Sequence, residues 1–300
     1  MTKLRAWASA ARLRTLPLSI SGILTASAVA ISEENFNLTI CILAIITTLG
    51  FQILSNFAND YGDGVKGTDN EDRVGPMRAM QSGILKAKDL KIGMIVTGAL
   101  TLLIATMLIF SAFGNENFLL SFIFFNLGIA AIIAAVTYTV GKKAYGYRAM
   151  GDLFVFLFFG LLGVMGCYFL YSKSLGDLVA MPAIVIGLLS VAVLNLNNMR
   201  DRLSDAKVNK NTLAVVLGAV KVKHYHTFLI IGSFIVASLY FLLKAETILE
   251  FIPLVAFIPL FLNVVKVYKN DSPPLLDPEL KKVALSTFLF SILFLITVSL

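Results

Sequence analysis

Charge is what this sequence has least of. Only 14% of its 300 residues are Asp, Glu, Lys or Arg, while 58% are hydrophobic. A soluble domain is about a quarter charged, so an ordinary soluble fold is excluded. Disorder, which needs low hydrophobicity and high net charge, is excluded by the same numbers. Cysteine is nearly absent: Cys41 and Cys167 both lie inside apolar runs, which excludes a disulfide scaffold and reads as packing thiols. The two histidines, His224 and His226, are two residues apart. A helical metal pair would use a spacing of three or four, so they read as interfacial. The net charge of +7 does not point to nucleic acid, because the basic residues are spread along the chain rather than gathered in one patch.

What the sequence has is long apolar runs. A membrane-spanning helix needs about 20 mostly apolar residues. Nine such runs are present: 15–33, 39–57, 92–113, 118–140, 152–171, 180–198, 226–243, 247–268 and 283–300. The first is long enough to span and follows Lys3, Arg5, Arg12 and Arg14, so it reads as a retained helix rather than a cleaved signal. Inner connections of a membrane protein carry the lysines and arginines. If the N-terminus is inside, Lys173 and Lys244 are the only ones of the 25 that fall on the outer side. The expected fold is therefore an all-α polytopic membrane protein of nine transmembrane helices, a single domain over 1–300, with the N-terminus cytoplasmic and the C-terminus outside.

Two inner connections, about 58–91 and 199–225, are long enough to cap a site. Both open at the end of an apolar run with amides and carboxylates. The first begins Asn56-Phe-Ala-Asn59-Asp60-Tyr-Gly-Asp63-Gly-Val-Lys66-Gly-Thr-Asp69, and the second Asn195-Leu-Asn197-Asn198-Met-Arg200-Asp201-Arg202-Leu-Ser-Asp205. Four helices separate them, which gives two four-helix halves plus a ninth helix, with one acidic segment from each half. Helical spacing puts Asn56, Asn59, Asp60 and Asp63 on one stripe and Asn198, Asp201 and Asp205 on another. Like charges at that spacing repel unless something binds them. Hard oxygen donors suit Mg²⁺, which takes one or two carboxylates and completes its shell with water and phosphate. Two such clusters at one mouth of a bundle can hold a diphosphate through Mg²⁺.

At these residues the chain resembles the UbiA superfamily of intramembrane prenyltransferases. Asn59, Asp60 and Asp63 match its first motif, and Asp201 and Asp205 its second. The last carboxylate of the first motif would fall on Gly67; the nearest is Asp69. Within the superfamily, the stretch 59–69 followed by Asp72-Arg73-Val-Gly-Pro76-Met-Arg78-Ala-Met-Gln81 is similar to the branch that prenylates 1,4-dihydroxy-2-naphthoate for menaquinone synthesis. Arg14-Thr-Leu-Pro17, Tyr138-Thr-Val-Gly-Lys142, Tyr145-Gly-Tyr147, Asn197-Asn198-Met-Arg200-Asp201 and Thr212-Leu-Ala-Val agree.

The resemblance implies transfer of a polyprenyl group from polyprenyl diphosphate to 1,4-dihydroxy-2-naphthoate at the cytoplasmic face of a bacterial inner membrane. Demethylmenaquinol, CO₂ and diphosphate would be the products, membrane lipid the surroundings, and nucleic acid no partner. It implies Mg²⁺ held by Asn59, Asp60, Asp63, Asp201 and Asp205. Asp63, Asp201 and Asp205, with Lys66 and Tyr138, would carry catalysis. Asn59, Asp60, Arg78, Lys142, Arg148, Asn198 and Arg14 would bind substrate. Tyr138 could steady a cation with its ring or reach the diphosphate with its hydroxyl. Asp152 either pairs with Arg148 or helps to bind substrate. Phenylalanine, 23 in all and clustered at 118–125 and 154–159, reads as lipid-facing or core rather than a tail-binding wall. Gly160, Gly163 and Gly166 read as close-packing positions. The alternatives are another aromatic acceptor, such as 4-hydroxybenzoate or homogentisate, and a cation-coupled transporter. The near-absence of mid-helix ionisable residues argues against the transporter.

Overall fold

The computed structural model describes residues 2–69 and 74–300. Asp72 and Arg73, part of the block compared above, lie outside the described residues. Nine helices among the described residues are long and apolar enough to cross a membrane: α1 (Lys3–Ser32), α2 (Leu38–Lys66), α3 (Ala87–Phe113), α4 (Phe118–Thr137), α5 (Gly151–Ser172), α6 (Ala180–Lys207), α7 (Leu213–Lys244), α8 (Ile248–Lys269) and α9 (Pro273–Thr297).

Local chemistry sets their ends. Asn37 starts α2 by accepting from the Thr39 and Ile40 amides at 3.0 and 3.2 Å. Thr212 starts α7 by accepting from the Val215 amide. Gly67 ends α2 in the left-handed conformation, φ 71°, which glycine adopts without penalty. α1 breaks at Arg12, φ 51°, and resumes at Leu16 with Pro17 in its first turn. Within α5, Phe156–Gly166 is wound as a wider π-helix.

Successive helices pack as neighbours: α2 on α3, α3 on α4, α5 on α6, α6 on α7. α9 closes the bundle against α1, α6 and α8. Where α5 crosses α6, a Cβ on Gly160 would stand 2.7 Å from the Ala183 carbonyl oxygen and the Gly187 Cα, so the backbones touch directly. α1 and α6 are the most buried spans, and α4 faces outward on nearly every side. Leu103, Phe110, Phe118 and Phe122 are exposed, as lipid-facing side chains are. In the interior, hydroxyls find partners: Thr25 donates to Ser291 at 3.0 Å, and Ser27 and Tyr171 share a hydrogen bond of 2.8 Å.

The helix ends fall into two sets at opposite ends of the bundle. Glu33, Tyr168 and Lys244 meet at the end opposite the acidic segments, with Lys244 3.4 Å from Glu33 and the Tyr168 hydroxyl donating to the same carboxylate. At the other end the helices run further than the apolar runs. α2 continues to Lys66 and α6 to Lys207, while α7 begins at Leu213, so 199–225 is helix but for the short connection 208–212 and a kink at Gly218, φ 76°. Helices whose last turns are polar extend past the apolar stretch that signals them.

Candidate functional site

Carrying α2 and α6 past their apolar runs puts the acidic residues on rigid helix ends facing one another. On α2, Gln52, Asn56, Asn59 and Asp63 line a cavity of about 390 Å³. On α6, Asn197 and Asn198 line it from across. Its mouth also takes in Arg12, Arg14, Arg78, Tyr138, Arg200 and Lys210, and beyond them the walls turn apolar. Phe154, Phe158 and Phe159 of α5, Phe124 of α4 and Leu108 of α3 form that greasy stretch, which runs on to Ala44, Cys167 and Leu170. The phenylalanines therefore divide: Phe118 and Phe122 face outward, whereas 124, 154, 158 and 159 wall the cavity. The π-helical stretch widens α5 where it lines this space, as such segments often do at functional sites.

A second, smaller cavity of about 20 Å³ adjoins the mouth, lined by Asp63, Asp69, Asp201, Asp205, Ser204, Asn197, Thr68, Arg78 and Lys210. It holds carboxylates from both halves. Gly67 brings Asp69 here: its left-handed turn lets the Thr68 amide bond back to the Asp63 carbonyl at 2.9 Å and returns the chain toward the cavity. Asp69, two residues after the position where the motif would put its last carboxylate, thus lines the small cavity.

Each acid has a counter-charge. Asp63 accepts from the Tyr147 hydroxyl at 2.7 Å, and Lys210 Nζ lies 3.6 Å from its other oxygen. The same ammonium stands 3.6 Å from Asp205. Asp201 takes a two-pronged contact from Arg200, at 2.9 and 2.7 Å, and Arg200 also reaches Asp277 and Asn197. The Arg200 side chain is 1% exposed, a depth that a guanidinium tolerates only when its donors are paired. Arg78 lies 3.6 Å from Asp60 and 3.9 Å from Asp69.

Several expected site residues are placed elsewhere. Asp60 shares the helix turn of Asn59 but faces away from both cavities. It accepts from Arg12 at 2.9 Å and from the Ala79 amide at 3.2 Å, anchoring the break in α1 to the loop after α2. Lys66 is exposed, its ammonium 4.0 Å above the Tyr147 ring. Lys142 and Arg148 are exposed and line neither cavity. Asp152 is met by Tyr225 at 3.3 Å, not by Arg148. His226 is fully buried rather than interfacial, bonded to Asn263 at 2.7 Å, with Asn263 donating on to Glu279 at 2.9 Å.

Lys210 and Tyr147 were legible only in part. Lys210 follows Asp205 by five residues and passes as one more positive-inside lysine. Tyr147 belongs to the matched Tyr145-Gly-Tyr147 stretch, but no spacing ties it to Asp63. The fold makes both central.

The charges are tuned accordingly. Burial disfavours the Lys210 ammonium, but Asp63 and Asp205 outweigh it and hold its pKa above the ordinary lysine value. Burial and the neighbouring Arg12 bring Arg78 down to about 10, still charged at neutral pH. Burial, then Asp63, raises the Tyr147 phenol, so it stays a neutral donor. Burial, then Asp152, does the same for Tyr138.

Among the described residues no three Asp, Glu, His or Cys side chains come close enough to enclose a metal ion on their own. The donor set nevertheless fits Mg²⁺ shared with a phosphate ligand. It is all hard oxygen, it comes from two facing helices, and it leaves coordination positions open. Two buried guanidinium nitrogens at the mouth, Nε of Arg12 and of Arg78, make no hydrogen bond. Nε of Arg78 is ion-paired with Asp60 and Asp69 at longer range, which leaves Nε of Arg12 as a spare donor for an anion.

The UbiA prenyltransferase family model matches residues 19–294. The chain belongs to the UbiA prenyltransferase family. Its similarity to curated relatives is high. It is 43% identical over 97% of its length to a 1,4-dihydroxy-2-naphthoate octaprenyltransferase of Haemophilus influenzae, 95% of which is covered. It is 38% identical over 99% of its length to the protein of that name in Escherichia coli, 96% of which is covered. Among solved structures, a UbiA homolog from Archaeoglobus fulgidus bound to GPP and Mg²⁺ shares the fold. Its TM-score is 0.63 at 19% identity, over 96% of this chain and 99% of that one. As a UbiA family member of nine apolar spans, the protein is integral to the membrane.

Proposed function

We propose that this protein transfers a polyprenyl group from polyprenyl diphosphate to 1,4-dihydroxy-2-naphthoate, giving demethylmenaquinol, CO₂ and diphosphate in menaquinone synthesis. One juxtaposition carries the reading: paired acidic helix ends from the two halves stand at the polar mouth of a cavity whose walls then become aromatic and aliphatic. A diphosphate fits the first part and an isoprenoid tail the second. The near-full-length relatives support the naphthoate acceptor. The positive-inside pattern supports a mouth on the cytoplasmic side, with the N-terminus there too.

In this reading Asp63, Asp69, Asp201 and Asp205, with Asn59 and Asn198, would hold Mg²⁺, which would supply Lewis acidity and charge compensation for the leaving diphosphate. Lys210 and Arg78 bring positive charge to the same oxygens. Tyr138 presents its ring at the boundary between mouth and tail, where positive charge develops on the allylic carbon as its bond to oxygen breaks. Arg12 and Arg14, on the break in α1, bring positive charge to the acceptor's carboxylate. The acceptor ring bonds to the allylic carbon, and loss of CO₂ restores the hydroquinone. Asp60 fixes Arg12 and Arg78 from behind. Lys66, Lys142 and Arg148 act at most in drawing anions toward the mouth.

The test is the purified protein in detergent with Mg²⁺, an allylic prenyl diphosphate and 1,4-dihydroxy-2-naphthoate, the prenylated product being followed by mass. EDTA and Asp201→Ala are the controls. Product that vanishes in both is the expected result. Product with 4-hydroxybenzoate alone overturns the acceptor, and no transfer to any aromatic overturns the enzyme.

A further inference from the structure

Lys210 occupies the position where two clusters of negative charge would otherwise face one another. Its ammonium is 3.6 Å from Asp63 of one half and 3.6 Å from Asp205 of the other. The Tyr147 ring stands 5.4 Å away on a third side. The side chain is 15% exposed, so it is held rather than solvated. Its backbone is fixed as well: the Lys210 amide donates at 2.9 Å to the Asp205 carbonyl, which also takes the Val208 cap amide at 3.3 Å, and the Thr212 amide donates to the Lys210 carbonyl at 3.0 Å. A lysine on this tether can swing its ammonium by rotating its side chain, without moving α6.

Two facing carboxylates at this depth repel strongly unless a cation lies between them. A divalent ion bound to Asp63 and Asp205 would compete for the same oxygens as the ammonium. We propose that Lys210 is a built-in counter-ion: it joins the two acidic segments when no divalent cation is bound, and turns to the phosphate oxygens when cation and diphosphate load together. The inference rests on the diphosphate reading above and adds to it a source of cooperativity. The divalent ion takes over the carboxylates that Lys210 held, and the released ammonium becomes a phosphate donor. Each ligand then favours the other, and such couplings are typically 5- to 150-fold.

Mn²⁺ binding to the purified full-length protein in detergent tests this. It is followed by electron paramagnetic resonance with and without inorganic pyrophosphate, against a protein-free reference at each point. Wild type is expected to bind Mn²⁺ weakly alone and at least 5-fold more tightly with pyrophosphate. Lys210→Met is expected to bind Mn²⁺ alone several-fold more tightly than wild type, and to lose most of the pyrophosphate enhancement. Without metal it should melt at lower temperature, and Mn²⁺ alone should restore it. Lys210→Gln serves where the methionine variant does not fold, and Lys210→Arg should keep the wild-type pattern. A folded Lys210→Met or Lys210→Gln protein that binds Mn²⁺ no better than wild type, with the pyrophosphate enhancement intact, overturns the proposal and leaves the metal site standing. A wild type that binds neither Mn²⁺ nor pyrophosphate overturns the diphosphate reading and this inference with it.

Discussion

The hydroxyl of Tyr147 donates to Asp63 at 2.7 Å, across a gap that the chain takes 84 residues to close. The same oxygen shares a 2.6 Å hydrogen bond with Thr68, so one phenol ties α2, the turn after it and the segment after α4 into one wall. Tyr147→Phe removes both bonds and leaves the ring. A hydrogen bond to a charged group is worth about 1.5–3 kcal/mol. The expected outcome is a roughly 10- to 100-fold fall in turnover, together with a melting temperature lower by a few degrees. Steady-state kinetics at varied Mg²⁺ would check it; unchanged kinetics would show that Asp63 is held without Tyr147.

Asp63→Asn and Asp205→Asn keep the shape of the small cavity and remove a charge from each half. Removing one preorganised electrostatic group from an active site costs on the order of 10²–10³ in rate. Each variant should lose at least that much transferase activity, while Asp60→Asn, whose carboxylate lies outside both cavities, should lose activity mainly through instability. Comparing activity with melting temperature across the three separates these causes.

Gly67 matters for its backbone conformation, since a Cβ there would meet no atom within 4 Å. Gly67→Ala should cost about 1–2 kcal/mol for the left-handed geometry and displace Asp69 from the small cavity. A lower melting temperature together with weaker Mg²⁺ dependence is expected. Loss of stability with wild-type Mg²⁺ dependence would remove Asp69 from the site.

Ala44 lines the deep end of the large cavity and is 2% exposed. Ala44→Phe should shorten the space for the isoprenoid tail. The kcat/KM for a long polyprenyl diphosphate should fall at least 10-fold, while that for geranyl diphosphate changes little. Overpacking carries its own cost of about 1–3 kcal/mol, so the ratio between the two substrates is the quantity to measure. An unchanged ratio would place the tail elsewhere.

The raised pKa of Lys210 fixes the sign of one pH effect. A lysine whose folded value exceeds its unfolded value stabilises the fold fully below the unfolded value, about 10.4, and loses that contribution as pH rises through the folded value. The gap in melting temperature between wild type and Lys210→Met, measured without divalent ions, should stay constant from about pH 7.5 to 9 and shrink only in alkali. A gap that closes near neutrality would mean that another group carries the effect.

By itself the sequence determined the nine spans, their alternation and the two acidic segments. Those follow from local pattern: apolar length, lysine and arginine placement, and carboxylates at helical spacing, none of which depends on what packs where. The tertiary structure decided which of those polar residues face one another. On α2 a single step around the helix separates Asn59, at the cavity, from Asp60, bound to Arg12 and Arg78 behind it. Spacing alone cannot say which way a helix is turned. Lys66, Lys142 and Arg148 stand exposed outside both cavities, while Lys210, identical to them as a sequence signal, is carried between Asp63 and Asp205 by the short connection after α6. Gly67 breaks the acidic motif in sequence, and only its left-handed turn brings Asp69 to the small cavity. The phenylalanines likewise divided between lipid and cavity according to helix rotation. Orientation about an axis is set by the sum of packing contacts along the whole helix, and those exist only once the bundle is assembled.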